Sequence, residues 1–294
     1  MKKTPMIMTV LTAAALLLTG CASGSTSASP AGQAFKAALS PSDHPDPQAM
    51  AKADSFLAAN GPAEQGRQVV IEQCMRKAGF TWVRQQAKPG RVEDLMTAKP
   101  LTVAQARADA YSGVGPRSTE AVGGTQGPDA QAAFMGSPSD PKITVHLFGT
   151  NPSVSSRGCL AESYKTIYGL VENGMMATGI AVNALQPSVN AALFDDAMTA
   201  LNKKWSQCFA AAGNPGLPSP GNAVIESLKT PAVAAKYSID DAKCRETLGY
   251  DKGAATEINR YLTSFLAANE GQITQIETIR QDASKRATTV LAGS

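Results

Sequence analysis

The 294-residue sequence predicts an all-α domain, mostly a helical bundle with at most one or two short strands, stabilised by two disulfides. Three observations predict it. Apolar residues recur at three- and four-residue steps through most of the chain beyond Gly158, Gly and Pro stand where those stretches should begin and end, and four cysteines lie within helical segments. With 43% hydrophobic and 17% charged residues the chain can bury a sizeable core and is not a low-complexity tail. Lys and Arg number 27 against 24 Asp and Glu; this lacks the basic excess of a nucleic-acid binder, and two His and five Cys are a thin stock for a metalloenzyme.

The chain opens with Lys2 and Lys3, an apolar run from Met6 to Leu18, and small residues at Thr19 and Gly20. Residues 1–20 have the layout of a secretory signal peptide, with an apolar part too short for a membrane span of roughly 20 residues. Leu18-Thr19-Gly20-Cys21 looks like a lipobox, which implies cleavage before Cys21 and acylation of its thiol. Lipid at Cys21 would hold the protein on the outer face of the cytoplasmic membrane. Residues 21–45 then read as a lipidated Cys and a flexible tether rich in Ala, Gly, Ser and Thr, and 46–294 as the helical extracytoplasmic domain. That domain is expected in two cysteine-linked halves, 46–173 and 188–294.

Along the domain, Asp46-Pro47 opens a helix that Asn60-Gly61 ends, and Pro62 starts another running to Ala78. Phe80 to Arg84 is apolar and β-branched enough for a short extended piece. Thr102 is the expected N-cap of a helix to Tyr111. Residues 113–140 are expected to form a mobile loop, apart from a turn of helix near Ala130 to Met135, and Lys142 to Phe148 is the second strand candidate. Residues 158–173, 188–212 and 231–248 each read as one helix. Ile258, Leu262, Phe265, Ile273, Ile276, Ile279, Ala283, Ala287 and Val290 mark one stripe of a last helix, which over 255–291 would reach about 55 Å. That length calls for a bend near Gly271 or a projecting end.

With Cys21 lipidated, Cys74, Cys159, Cys208 and Cys244 remain, an even number in a chain that has left the reducing cytosol. Four cysteines allow three pairings, and sequence alone does not choose among them. Cys74 and Cys208 share a context, a bulky apolar residue three positions before and a Gly five after, and each is followed by another helix-borne Cys. This weak twofold organisation favours Cys74 with Cys159 and Cys208 with Cys244. Each loop closure would contribute roughly 3 to 5 kcal/mol in the chain-entropy model. No C-x-x-C occurs, so neither a metal site nor a cofactor is expected.

The set Glu72-x-Cys-Met-x-x-x-Gly-Phe80, Gly158-Cys-Leu-Ala-Glu162, Trp205-x-x-Cys-Phe-x-x-x-Gly213 and Ala242-x-Cys-Arg245 resembles a group of secreted lipoproteins of high-GC Gram-positive bacteria, over roughly residues 60 to 250. The resemblance implies export and disulfides and carries no site residues. At Phe209 the group usually has Met, which preserves bulk.

An enzymatic alternative is an L,D-transpeptidase on peptidoglycan. His146-Leu-Phe-Gly-Thr-Asn-Pro-Ser-Val-Ser-Ser-Arg-Gly-Cys159 is similar to that family's active-site stretch, where an imidazole activates a thiol that attacks a peptide carbonyl. Against it, Leu147 stands where the family has Gly, Ala161 where it has Arg, and a disulfide at Cys159 would remove the nucleophile. Asp195-Asp196 and Asp240-Asp241 do not share a helix face as adjacent pairs; the first reads as a solvated face and the second as favouring a helix N-terminal region. Lone His44 reads as solvated. The expected role is therefore a non-catalytic binding or accessory module of the cell envelope, with a protein or wall partner and no nucleic acid. A small-ligand receptor for a transporter is the further alternative, needing an apolar cleft with convergent polar groups.

Overall fold

The computed structural model of the protein describes residues 39–58, 61–84, 90–112 and 127–294. The expected signal peptide, Cys21, the tether as far as residue 38 and residues 113–126 of the expected loop lie outside the described residues. Helix accounts for 69% and strand for 3%, so the fold is all-α.

Helices α1 (Ala49–Ala58) and α2 (Gly61–Lys77) are followed by a 3-10 turn at Val92–Leu95 and by α3 (Val103–Asp109). Thr102 caps α3 as expected: its hydroxyl accepts from the Gln105 N–H while Gln105 Oε1 accepts from the Thr102 N–H, a capping box. Helix α4 (Pro128–Met135) leads to a hairpin of β1 (Lys142–Thr144) and β2 (Ser153–Ser155), paired antiparallel. The chain continues through α5 (Cys159–Tyr168), α6 (Val171–Thr178), a π-helical turn (Ala181–Leu185), α7 (Gln186–Leu193), α8 (Asp196–Ala211), α9 (Pro220–Lys229), α10 (Ala234–Leu248), α11 (Tyr250–Ala268) and α12 (Glu270–Ala292).

Several expectations are corrected, each for a local or a tertiary reason. Phe80 to Arg84 is not a strand, because Trp82 turns inward: its ring stacks on Phe134 at 4.8 Å and its Nε1 donates to Gln68 Oε1 at 3.0 Å. The helix expected near Ala130 to Met135 is present as α4, and the same contact packs it, with Phe134 buried. The strand expected from Lys142 to Phe148 stops at Thr144. Leu147 and Thr150 instead bridge a tight turn, where Phe148 takes a φ of 49° and its N–H donates to Gln272 Oε1 on α12 at 3.0 Å.

Of the long helices read from periodicity, 158–173 and 188–212 are interrupted, 231–248 runs unbroken from a 3-10 turn at Pro231–Val233 into α10, and the last is bent close to the expected Gly271. Gly169, at φ 83°, ends α5 in the left-handed region that glycine reaches without steric cost, and α6 begins two residues later. Phe194 and Asp195 divide 188–212: Asp195 is extended, and its Oδ1 accepts from the Ala197 N–H at 2.9 Å, a new N-cap for α8 rather than a solvated face. The last helix bends at Asn269, whose Nδ2 returns to the Phe265 carbonyl at 2.8 Å, two residues before Gly271. The expected tether also ends early. Ser42 is fastened to α11, its N–H donating to the Arg260 carbonyl at 3.1 Å and its carbonyl accepting from Arg260 Nε at 3.2 Å.

Three apolar clusters hold the helices together. In the largest, α12 lies along α2, α5 and α6, and α11 lies along α1 and α7, so one core joins segments from both sides of the 173–188 division. At Gly66 helices α2 and α12 come so close that a Cβ would sit 2.8 Å from that of Ala287, which only glycine accommodates. The second cluster gathers α3, α8, α9, α10 and Tyr250 around fully buried Trp205 and Phe209. The third, smaller cluster joins Ile71, Met75, Trp82 and Phe134. Each of the smaller clusters contains one disulfide: Cys208–Cys244 in the second and Cys74–Cys159 in the third.

The Asp195 cap yields a testable consequence. The Ala197 N–H, and then the Tyr261 hydroxyl donating at 2.7 Å, hold this carboxyl below its ordinary range. A depressed folded-state pKa contributes stability that is present above the unfolded value of about 3.9 and is lost as pH falls through the folded value. Asp195→Ala is therefore expected to cost about 1 kcal/mol at pH 7. Urea midpoints of the two proteins should converge as pH falls toward the folded value, and a gap that stays constant would refute the charged cap.

Candidate functional site

The three sets of residues singled out in the sequence are placed very differently. Cys159 opens α5, is buried, and is bonded to Cys74. His146 lies on the hairpin loop with an exposed ring, its Nδ1 3.0 Å from Asn151 Oδ1, while its carbonyl accepts from Gln272 Nε2 on α12. The sulfur that a transpeptidase would use is thus held in a disulfide, and the imidazole is engaged with an amide. His44 is exposed in the leading segment, its N–H donating to Ser42 Oγ.

Asp240 and Asp241 part company. Asp240 takes Lys236 Nζ at 2.9 Å and Asn214 Nδ2 at 3.1 Å; burial would raise its pKa, and these donors bring it below its ordinary range instead. Asp241 is wholly buried inside the second cluster rather than set at a helix N-terminus. Its Oδ1 accepts from Trp205 Nε1 at 2.8 Å and from Arg245 Nε at 2.7 Å, and its Oδ2 from the Tyr111 hydroxyl at 3.2 Å. Arg245, 1% exposed, also donates through Nη1 to the Lys99 carbonyl and to Asp251 Oδ1, and stands 5.6 Å from the Tyr250 ring centroid. Burial by itself would lower the Arg245 pKa, but Asp241 and then Asp251 raise it above its ordinary value. Sequence reasoning missed this network. Its signal was the i,i+4 spacing of Asp241 and Arg245 on a helix.

The network underlies a cleft. Tyr250, packed against Arg245, donates its hydroxyl to Asn202 Oδ1 at 2.6 Å, and both residues line a cavity of about 390 Å³ between the α7–α8 break, the start of α9 and the segment at Met96 to Ala98. No lining residue carries a charge. The break that periodicity did not reveal places Phe194 here, 83% exposed, the most exposed large apolar side chain among the described residues. A single exposed apolar side chain is ordinary on a protein surface, but Ile225, 40% exposed, lines the same cleft.

Three asparagines from three helices line this cleft: Asn190 on α7, Asn202 on α8 and Asn222 on α9. Each has its Oδ1 taken by a protein donor, respectively Gln186 Nε2 at 2.8 Å, the Tyr250 hydroxyl at 2.6 Å and the Ser219 hydroxyl at 2.7 Å. Those bonds orient the amides. Each Nδ2 is left without a protein partner among the described residues. The hydroxyls of Thr97 and Thr199 also line the cleft without a protein partner.

A second cleft, about 480 Å³, lies between α1, α11 and α12 and contrasts with the first. Several of its polar groups are satisfied internally: Asp46 pairs with Lys52 and accepts from the Gln48 N–H, and the Thr263 hydroxyl bonds the Asn259 carbonyl and the Asp46 N–H. No group of three or more His, Cys, Asp or Glu able to share a metal ion occurs among the described residues. None of the described helices is long and apolar enough to cross a membrane. Set against family models, curated proteins and solved structures, the chain matches none.

Proposed function

We propose that this chain is an extracytoplasmic lipoprotein, anchored through lipid on Cys21, that serves the cell envelope as a non-catalytic binding module and takes its ligand in the Phe194 cleft. The observation that carries the binding assignment is the set of three oriented asparagine amides, open on Nδ2, beside an exposed aromatic ring. Asn202 is half-buried while Asn190 and Asn222 are exposed, so their donors are open to solvent, and what supports the reading is that all three line one uncharged cleft with Phe194. Export is supported by the lipobox at residues 18–21 and by two disulfides, which an oxidising compartment permits. The lipoprotein resemblance of the cysteine-bearing helices points the same way.

The test has an anchoring arm and a binding arm. Radiolabelled palmitate should enter the wild-type chain and not Cys21→Ala, and equal labelling of both would remove the anchor. The full chain, immobilised in mild detergent, should retain envelope material from cell extracts, and Phe194→Ala should retain roughly tenfold less, the scale of an aromatic anchor residue. Equal retention by the two chains would refute the cleft. Phe194 is largely in solvent, so its removal should leave the melting temperature unchanged.

A further inference from the structure

We infer that the ligand of the Phe194 cleft is an uncharged glycan, an inference that rests on the reading of that cleft as a binding site. Charge excludes the most familiar alternatives. A phosphate or carboxylate entering the cleft would lose water without meeting a cation, because its lining holds no Lys, Arg or His. A cationic ligand would meet no carboxylate. The one titratable lining group is the Tyr250 phenol, whose pKa is raised by burial, so it is neutral at physiological pH.

The balance of donors and acceptors narrows the class further. Three amide groups offer N–H donors, each with one bond already made to its oxygen, and the Thr97, Thr199 and Tyr250 hydroxyls add groups that can accept. The complementary ligand is rich in acceptor oxygen. Pyranose hydroxyls, ring oxygens and acetamido carbonyls supply this.

Shape completes the argument. A pyranose ring has an apolar C–H face and a polar rim, and the cleft offers groups for both, Leu193, Phe194 and Ile225 together with the three asparagines. Phe194 is 83% exposed and Ile225 40%, so both are open to a sugar face. A volume of about 390 Å³ falls within the range of small-molecule sites, roughly 300–1,000 Å³. A stable protein partner would need about 800 Å² of contact on each side.

The full chain in detergent is titrated with chitotetraose, maltotetraose and the anionic hyaluronan tetrasaccharide, followed by the side-chain amide signals of Asn190, Asn202 and Asn222 in nitrogen-15 NMR. At least one neutral oligosaccharide should shift these signals, with chitotetraose and maltotetraose separating an acetamido glycan from a plain hexose polymer. Phe194→Ala, and Asn222→Asp, which exchanges a donor for an acceptor, should each weaken that binding about tenfold. Hyaluronan should bind at least as weakly as the variants. Failure of both neutral glycans at millimolar concentration, with retention of envelope material still dependent on Phe194, would overturn the glycan and leave the cleft standing. Retention independent of Phe194 would overturn both. Equal binding of hyaluronan, or glycan binding unaffected by either variant, would also overturn the inference.

Discussion

Asp241→Ala is expected to destabilise the protein by about 3–5 kcal/mol, the largest effect of any single substitution proposed for this molecule. The carboxylate is 0% exposed and accepts hydrogen bonds from Trp205, Arg245 and Tyr111. Removing it strands a guanidinium that is itself 1% exposed, together with an indole N–H and a phenol inside the second apolar cluster. Asp251, 30% exposed at its side chain, still touches Arg245 Nη1 but is too wet to replace the lost partner. At roughly 2–4 °C per kcal/mol for a domain of this size, the melting temperature should fall by about 6–20 °C. Asp241→Leu combined with Arg245→Met should recover about half of the loss, because no charge is then left unpaired in the core, while Trp205 and Tyr111 lack their acceptor and the Lys99 carbonyl and the half-exposed Asp251 lack the guanidinium. A single variant that costs less than about 1 kcal/mol, or a double variant worse than the single, would show that the pair is not what holds this cluster.

The second large effect concerns the disulfides. Cys74–Cys159 spans 85 residues and Cys208–Cys244 spans 36, and loop-closure entropy assigns them about 4.5 and about 4 kcal/mol. Replacing either pair by alanine should lower the urea midpoint substantially. Replacing both should bring the protein close to unfolding, since domains of this kind are stable by only about 5–15 kcal/mol. Loss of Cys74–Cys159 has a further local consequence: the third cluster is small, so α4 and Trp82 should become the first region to exchange amide hydrogens. Free thiols from these four positions in the unreduced, denatured protein, or a paired variant with an unchanged midpoint, would refute this account.

Much of the fold was legible because the signals are local. Thr102 and Gln105 form a cap across three residues, Asp46 turns the chain across two, and a glycine five residues after Cys74 and after Cys208 marks a helix end in each case. The breaks within apparently continuous helices were harder to see. At 194–195 the interruption depends on Asp195 choosing a capping role, a choice reinforced by Tyr261, 66 residues away. Phe80 to Arg84 has strand-like residues but no neighbouring strand, and the packing of Trp82 against Phe134 decides its path.

Sequence alone determined the helical class, the approximate position of most helices and the division of the cysteines into two contexts, because periodicity, caps and glycine stops act within one or two turns of chain. Tertiary structure alone decided that Asp241 is a buried acceptor rather than a helix-terminal charge, and that Phe194 stands at a cleft beside Asn190, Asn202 and Asn222. The partners of Asp241 lie 36 and 130 residues away as well as four, and those of the cleft come from three helices. Such groups meet only when burial of the apolar faces brings distant segments together, and that requirement leaves no short-range mark in the order of the residues.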